Sequence, residues 1–354
     1  MYPYFFLILL TLILLVIANR NKSHKIIYVF FVSISATILI LFAGLRSNNI
    51  GVDTNNYINF FNMFDRDISI FDLNNNRELG FNILQYFAKN ISESYWSFLL
   101  LIAFVSVSSV YVTFYKLSKN ILISVFLYIT LATYLFFFNG ARQGISASLF
   151  GLALINVINR KPKRYFFFLV LAFLFHKTVI IMAPFYYILK LKFTIRRLIL
   201  FSFFSFIFIY YLSDFLFLFD ENFQNKYREY LDRGKSGGQL LGFFYISISL
   251  LFIYIRRYIS SKNKKIFDVY LNLVIFFSII YFIVLSLGLD VNLLRLTLFF
   301  SFGHLLIWPI IFDDISFFKN YLGKVVFYFL HILFYIIFLN QMQGYLPYQI
   351  NEFL

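Results

Sequence analysis

The stretch LFAGLRSNNIGVDTNNY, Leu41 to Tyr57, closes one apolar run and opens the longest polar segment of the chain. Residues 26 to 45 are almost wholly apolar, enough for a helix across about 30 Å of hydrocarbon. Arg46 falls where such a helix surfaces, and Gly51, Asp53 and Asn55 break the helical pattern into a loop. A cation and a carboxylate close in sequence thus stand at a membrane boundary. Taken alone, Arg46 serves equally as a snorkelling anchor before a solvated turn.

The rest of the chain supports a membrane setting. Its 354 residues are 61% hydrophobic and 23% aromatic, with a mean hydropathy of +0.79, far above an ordinary soluble domain. The net charge of +15 does not point to nucleic acid, because Lys and Arg punctuate apolar runs instead of interleaving with stacking aromatics on a polar surface. With no cysteine, the chain has no disulfide, no Cys-ligated zinc or iron–sulfur cluster and no thiol nucleophile. Residues 2 to 18 are apolar with basic residues only behind them and no small-residue cleavage site, which reads as an uncleaved span. Further apolar runs bring the count to about twelve spans. No repeat, Pro-rich linker or charge tract divides them, so residues 1 to 354 read as a single all-α, polytopic membrane domain.

Charge orients the spans. Alternate connections and their adjoining span ends collect 20 of the 31 Lys and Arg with only Asp268, Asp313 and Asp314 as acids, which assigns them to the cytoplasm. Both termini then lie outside, with two long extracytoplasmic loops at 46–94 and 220–239. Within the first, GFNILQYFAKNI from Gly80 places Phe81, Leu84 and Phe87 on one helical face, lying either on the membrane surface or on the protein's own outer face. Two spans are short. Runs 165–175 and 178–189 each reach about 17 Å against about 30 Å of hydrocarbon, so the chain must break or recess at His176, and Pro184 adds a kink.

Outward span ends supply Arg46, Asp53, Arg142 and Gln143 in NGARQG, His176 and Lys177 in FHKT, and Arg295 in NLLRL. Each alone suits an interfacial anchor. Together, three guanidiniums suit bidentate recognition of phosphate or carboxylate. No Gly-rich phosphate loop, HExxH or GxSxG is present, so nucleotide hydrolysis, zinc proteolysis and serine hydrolase chemistry lack signatures. Asp65 and Asp67 read as a solvated loop, not a metal site, and His304 and His331 as helix packing. No metal or cofactor is expected. Ionisable residues are scarce at mid-span, which argues against an ion-coupled transporter.

Five blocks in order carry a resemblance: GLRSNNIGVDTNNY (Gly44 to Tyr57), RELGFNIL (Arg77 to Leu84), ARQGISASLFGLAL (Ala141 to Leu154), FHKTVIIMAPFYYIL (Phe175 to Leu189) and LLRLTLFF (Leu293 to Phe300). Together they resemble the EpsG-type, Wzy-like polymerases of bacterial surface polysaccharides. The first block departs from the family's usual Gly-Thr-Asp, reading Gly51-Val52-Asp53-Thr54. The resemblance implies a fold similar to GT-C-like membrane glycosyltransferases in the bacterial plasma membrane, with the site facing the exterior. It implies donor and acceptor oligosaccharides linked to undecaprenyl pyrophosphate, a chain-length regulator as partner, and a product that is O-antigen, capsule or exopolysaccharide. On that chemistry Arg46, Arg142 and Arg295 bind pyrophosphate, Asp53 or His176 is the base, and Tyr57, Glu78, Gln143 and Lys177 contact the glycan.

Rival readings are an O-antigen ligase, a polyprenyl-phosphate-sugar transferase and a lipid-linked oligosaccharide flippase. A flippase needs polar residues along both halves of its path, whereas these gather on one side.

Overall fold

The computed structural model describes residues 1–64, 78–211, 239–289 and 291–351, and every regular element among them is helical. Long apolar runs leave the backbone no partner but itself in lipid, and the helix meets that demand within each segment. Among the described residues seven helices are long and apolar enough to cross a membrane, or eight if Asn292–Phe300 and Phe302–Asp314, bent by 42°, form one span. The chain is a polytopic helical membrane protein.

The expected count of about twelve spans is not supported, because apolar composition hides breaks in the backbone. Run 121–138 holds α6 (Ile121–Thr130), a turn through the left-handed Ala132 at φ 58°, and α7 (Phe136–Asn139). The stretch of the two expected runs, 165–175 and 178–189, is shorter still as helix. It contains α9 (Pro162–Phe173), a 3₁₀ helix (Lys177–Met182) and α10 (Phe185–Ile188), with Pro184 as the N-cap of the last. The break expected at His176 is present, since that residue is extended at φ −161°. Loop 220–238, Asp65 and Asp67 lie outside the described residues.

The described chain forms two compact units. The first takes residues 1–183 and 317–354. In it α1 (Tyr2–Arg20) packs on α2 (Lys25–Gly44), α2 on α5 (Trp96–Leu117), α5 on α8 (Ala141–Ile158) and α8 on α9. Two shorter helices, α3 (Thr54–Asn62) and α4 (Leu79–Ile91), lie in the described part of the 46–94 region. Phe81 and Leu84 are buried, Phe81 lying edge-on to Phe98 at 5.1 Å, so α4 lies against the protein itself. Phe87 is 58% exposed and leaves the face assigned to it, because it sits a third of a turn from the Phe81 direction at 3.6 residues per turn. The helix Tyr321–Gln341 packs on α6, and its His331 places Nδ1 2.8 Å from the Phe327 carbonyl, as helix packing.

In the second unit (184–316), helix Ser261–Ser286 is the hub for Ile195–Tyr210, Gln239–Ile255, Phe302–Asp314 and the 3₁₀ helix Val291–Phe300. Arg256 grips Asp268 through Nε and Nη2 at 2.5 and 2.8 Å. His304 is buried among the rings of Tyr245, Phe252 and Phe277.

Candidate active site

Three separate segments of the first unit meet on one carboxylate. The N-terminus of α4 docks on the end of α9, the Gly80 amide donating to the Leu174 carbonyl at 2.8 Å. Gly80 permits this approach, since a Cβ there would stand 3.0 Å from that carbonyl oxygen and 3.0 Å from the Phe175 ring. Glu78, the N-cap of α4, is thereby delivered to the broken end of α9, with Oε1 3.2 Å from His176 Nδ1. Its other oxygen accepts from Arg142 Nη1, in the first turn of α8, at 2.5 Å.

Glu78 is nearly buried, its side chain 6% exposed. Burial alone pushes its carboxyl up, but the His176 hydrogen bond and the Arg142 charge more than offset this and hold it down at about 2. The carboxylate is therefore ionised and orients both partners. Arg142 keeps 34% of its side chain exposed and His176 17%, so the cluster opens on the Arg142 side.

The start of α8 is tied down from three directions. The Tyr57 hydroxyl donates to the Asn139 carbonyl and accepts from the Ala141 amide, both at 2.9 Å, spanning the turn at Gly140. Asn139 Oδ1 accepts from the Val52 amide at 2.7 Å and its Nδ2 donates to the Tyr345 hydroxyl at 2.9 Å. Neither Asn139 nor Tyr345 carries a distinguishing signal in the sequence, although Asn139 opens the NGARQG motif. Tyr57, expected to touch glycan, is 6% exposed and grips the backbone.

Arg46 occupies a different place from the one expected of a pyrophosphate ligand. It is 0% exposed, and its guanidinium donates to the carbonyls of Ala43 and Ile50 and to Thr54 Oγ1, lying 4.3 Å above the Phe138 ring. Its backbone pairs with Ile350, flanked by Ser47 N to Gln349 O and Asn351 N to Leu45 O, each 2.9 Å. Gly51, at φ 91°, completes the turn and gives its amide to Gly344 O at 2.6 Å. Having no carboxylate partner in this set, Arg46 acts as a buried rivet, and its donors are engaged by the protein itself.

Buried polar atoms without a hydrogen-bond partner accompany the cluster. Asn82 Oδ1 is one turn along α4 from Glu78, Ser146 Oγ one turn along α8 from Arg142, and Thr178 Oγ1 two residues past His176. Asp53 caps α3, half-buried, with Oδ1 3.5 Å from Asn56 Nδ2. Gln143 is buried in the first turn of α8, and Lys177 opens the 3₁₀ helix, half-buried. Arg295 belongs to the second unit, exposed on Val291–Phe300. Among the described residues no group of three or more metal-ligating side chains exists.

Residues 29–350 match the EpsG family. The amylovoran biosynthesis protein AmsC of Erwinia amylovora is 30% identical over 188 residues, 50% of this chain and 49% of that protein. The alignment thus spans about half the length of that curated relative. No solved structure matches the chain.

Proposed function

The chain belongs to the EpsG family, and from that premise we propose that it is a membrane glycosyltransferase polymerising undecaprenyl-pyrophosphate-linked oligosaccharide repeats into a surface polysaccharide. It works on the extracytoplasmic face of the bacterial plasma membrane. The observation that carries this reading is the single Glu78 carboxylate holding both Arg142 and His176.

The chemistry follows from that arrangement. The ionised Glu78 carboxylate can only accept, so the neutral form of His176 carries its hydrogen on Nδ1, and Nε2 is then the nitrogen that acts as general base. It takes the proton of an acceptor sugar hydroxyl as that oxygen attacks the donor's anomeric carbon. The bond from that carbon to the pyrophosphate oxygen breaks, and its electron pair leaves on the lipid pyrophosphate. Arg142 faces that developing charge with the outward part of its guanidinium, and Glu78 balances the imidazolium formed on His176. Asp53, at the start of α3, orients the loop or the acceptor, and Arg46 holds that loop in shape.

The surface glycan of a deletion strain tests the assignment. Lipid-linked single repeats with no ladder, restored by the wild-type chain and not by Arg142→Lys, are the expected result. Loss of all repeats would indicate a flippase instead, and intact polymer would reject both.

A further inference from the structure

We infer that the segment 342–351 is a positioning element of the active site: acting through Tyr345 and Asn139, and with Tyr57, it sets the first turn of α8 from which Arg142 reaches the pyrophosphate. The inference rests on the polymerase reading for the role of Arg142, but the contacts that carry it are independent of that reading.

Asn139 is the junction. Its side chain spends its acceptor on Val52 N–H and a donor on Tyr345 Oη, and its backbone carbonyl accepts from Tyr57 Oη. The amide orientation is fixed, because the Val52 N–H can only donate and so requires the oxygen to face it. Tyr345 Oη, accepting from Asn139, turns its own hydrogen to the Leu135 carbonyl at 3.4 Å, at the N-cap of α7. The four-residue α7 is thus held at both ends, and α8 begins directly after it with its first amide on Tyr57.

The segment is itself anchored along its length. Tyr4 Oη donates to the Tyr345 carbonyl at 2.7 Å, Gly344 accepts from Gly51, and Gln349 and Asn351 pair beside Arg46. Tyr348 stacks on Phe42 with centroids 4.0 Å apart and donates to the Phe42 carbonyl. Tyr345 is 4% exposed. A side chain held this firmly, three residues in space from Arg142 through Asn139, Gly140 and Ala141, fixes where the guanidinium stands. An error of about 1 Å in such placement costs up to about 100-fold in rate.

The test uses purified full-length protein carrying Tyr345→Phe, which removes the hydroxyl and keeps the ring, alone and combined with Arg142→Lys. Two readouts are taken: amide hydrogen exchange across residues 139–145, and polymerisation of a synthetic polyprenyl-pyrophosphate oligosaccharide. The expected result is faster exchange in that window at a slightly lowered thermal midpoint, and about tenfold slower polymerisation that shrinks to under about twofold in the Arg142→Lys background. Unchanged exchange, or the same fold loss in both backgrounds, overturns the inference. If Arg142→Lys alone polymerises at the wild-type rate, the polymerase reading of Arg142 falls, and the exchange readout still decides whether the segment sets that turn.

Discussion

The amide of Gly80 donates to the carbonyl of Leu174 across 2.8 Å, and this one backbone contact brings Glu78 to His176. A methyl at position 80 would press on a backbone oxygen and an aromatic ring, neither of which yields easily. Gly80→Ala is expected to cost about 1–3 kcal/mol of stability and to shorten the glycan ladder, with Gly80→Val abolishing it. Thermal unfolding in detergent and ladder length in complemented strains check this together.

Arg46 and Arg142 separate by what lysine does to each. At Arg46 an ammonium cannot reach two carbonyls and Thr54 from one buried site, so Arg46→Lys is expected to lose about 2–4 kcal/mol of stability and most of the membrane-inserted protein. At Arg142 lysine preserves the charge beside Glu78, and the protein accumulates normally. On the proposed mechanism its polymerisation is expected to slow about 30-fold to 1000-fold, because a point charge would replace a rigid fork on the pyrophosphate. Membrane abundance and glycan ladders of the two variants, run side by side, measure the contrast.

Glu78 predicts a pH dependence with a definite sign. Its carboxyl is depressed from 4.5 to about 2, so its contribution is fully present above about pH 4.5 and is lost as pH falls toward 2. The size is roughly 3 kcal/mol at neutral pH. Unfolding of wild type and Glu78→Gln across that range should show a constant gap above pH 4.5 that closes below it.

Thr178 and Ser146 mark the limit of the site. Their hydroxyls are buried without a partner, so Thr178→Val and Ser146→Ala are expected to leave stability unchanged or raise it slightly, by up to about 1 kcal/mol. Both side chains are 0% exposed, out of reach of a sugar, so polymerisation is expected to stay at the wild-type rate. Melting temperature and polymer yield check the two expectations.

The polar ends of apolar runs were legible in the sequence, and so was the break at His176, because helix length and residue chemistry are local properties. Arg142 and His176 were picked out in this way, and Glu78 through the resemblance of its block, although its role as the carboxylate between them appears only when α4 docks on α9. The role of Arg46 was not legible, since an arginine at a span end looks the same whether its donors face a ligand or its own carbonyls. The span count went astray for a related reason: Ala132 and Pro184 break apolar runs whose composition barely changes. Tyr345 escaped notice because its partner, Asn139, is 206 residues away in sequence.

The central claim is that one carboxylate arms His176 as base and Arg142 as pyrophosphate ligand. Purified protein in liposomes, given a synthetic undecaprenyl-pyrophosphate oligosaccharide, measures it most directly through coupled release of lipid pyrophosphate and growth of glycan. The account predicts that wild type produces both together, that His176→Gln and Arg142→Lys produce neither at a comparable rate, and that all three proteins remain folded at the assay temperature. Wild-type polymer length and rate in His176→Gln, or in Arg142→Lys, would contradict it.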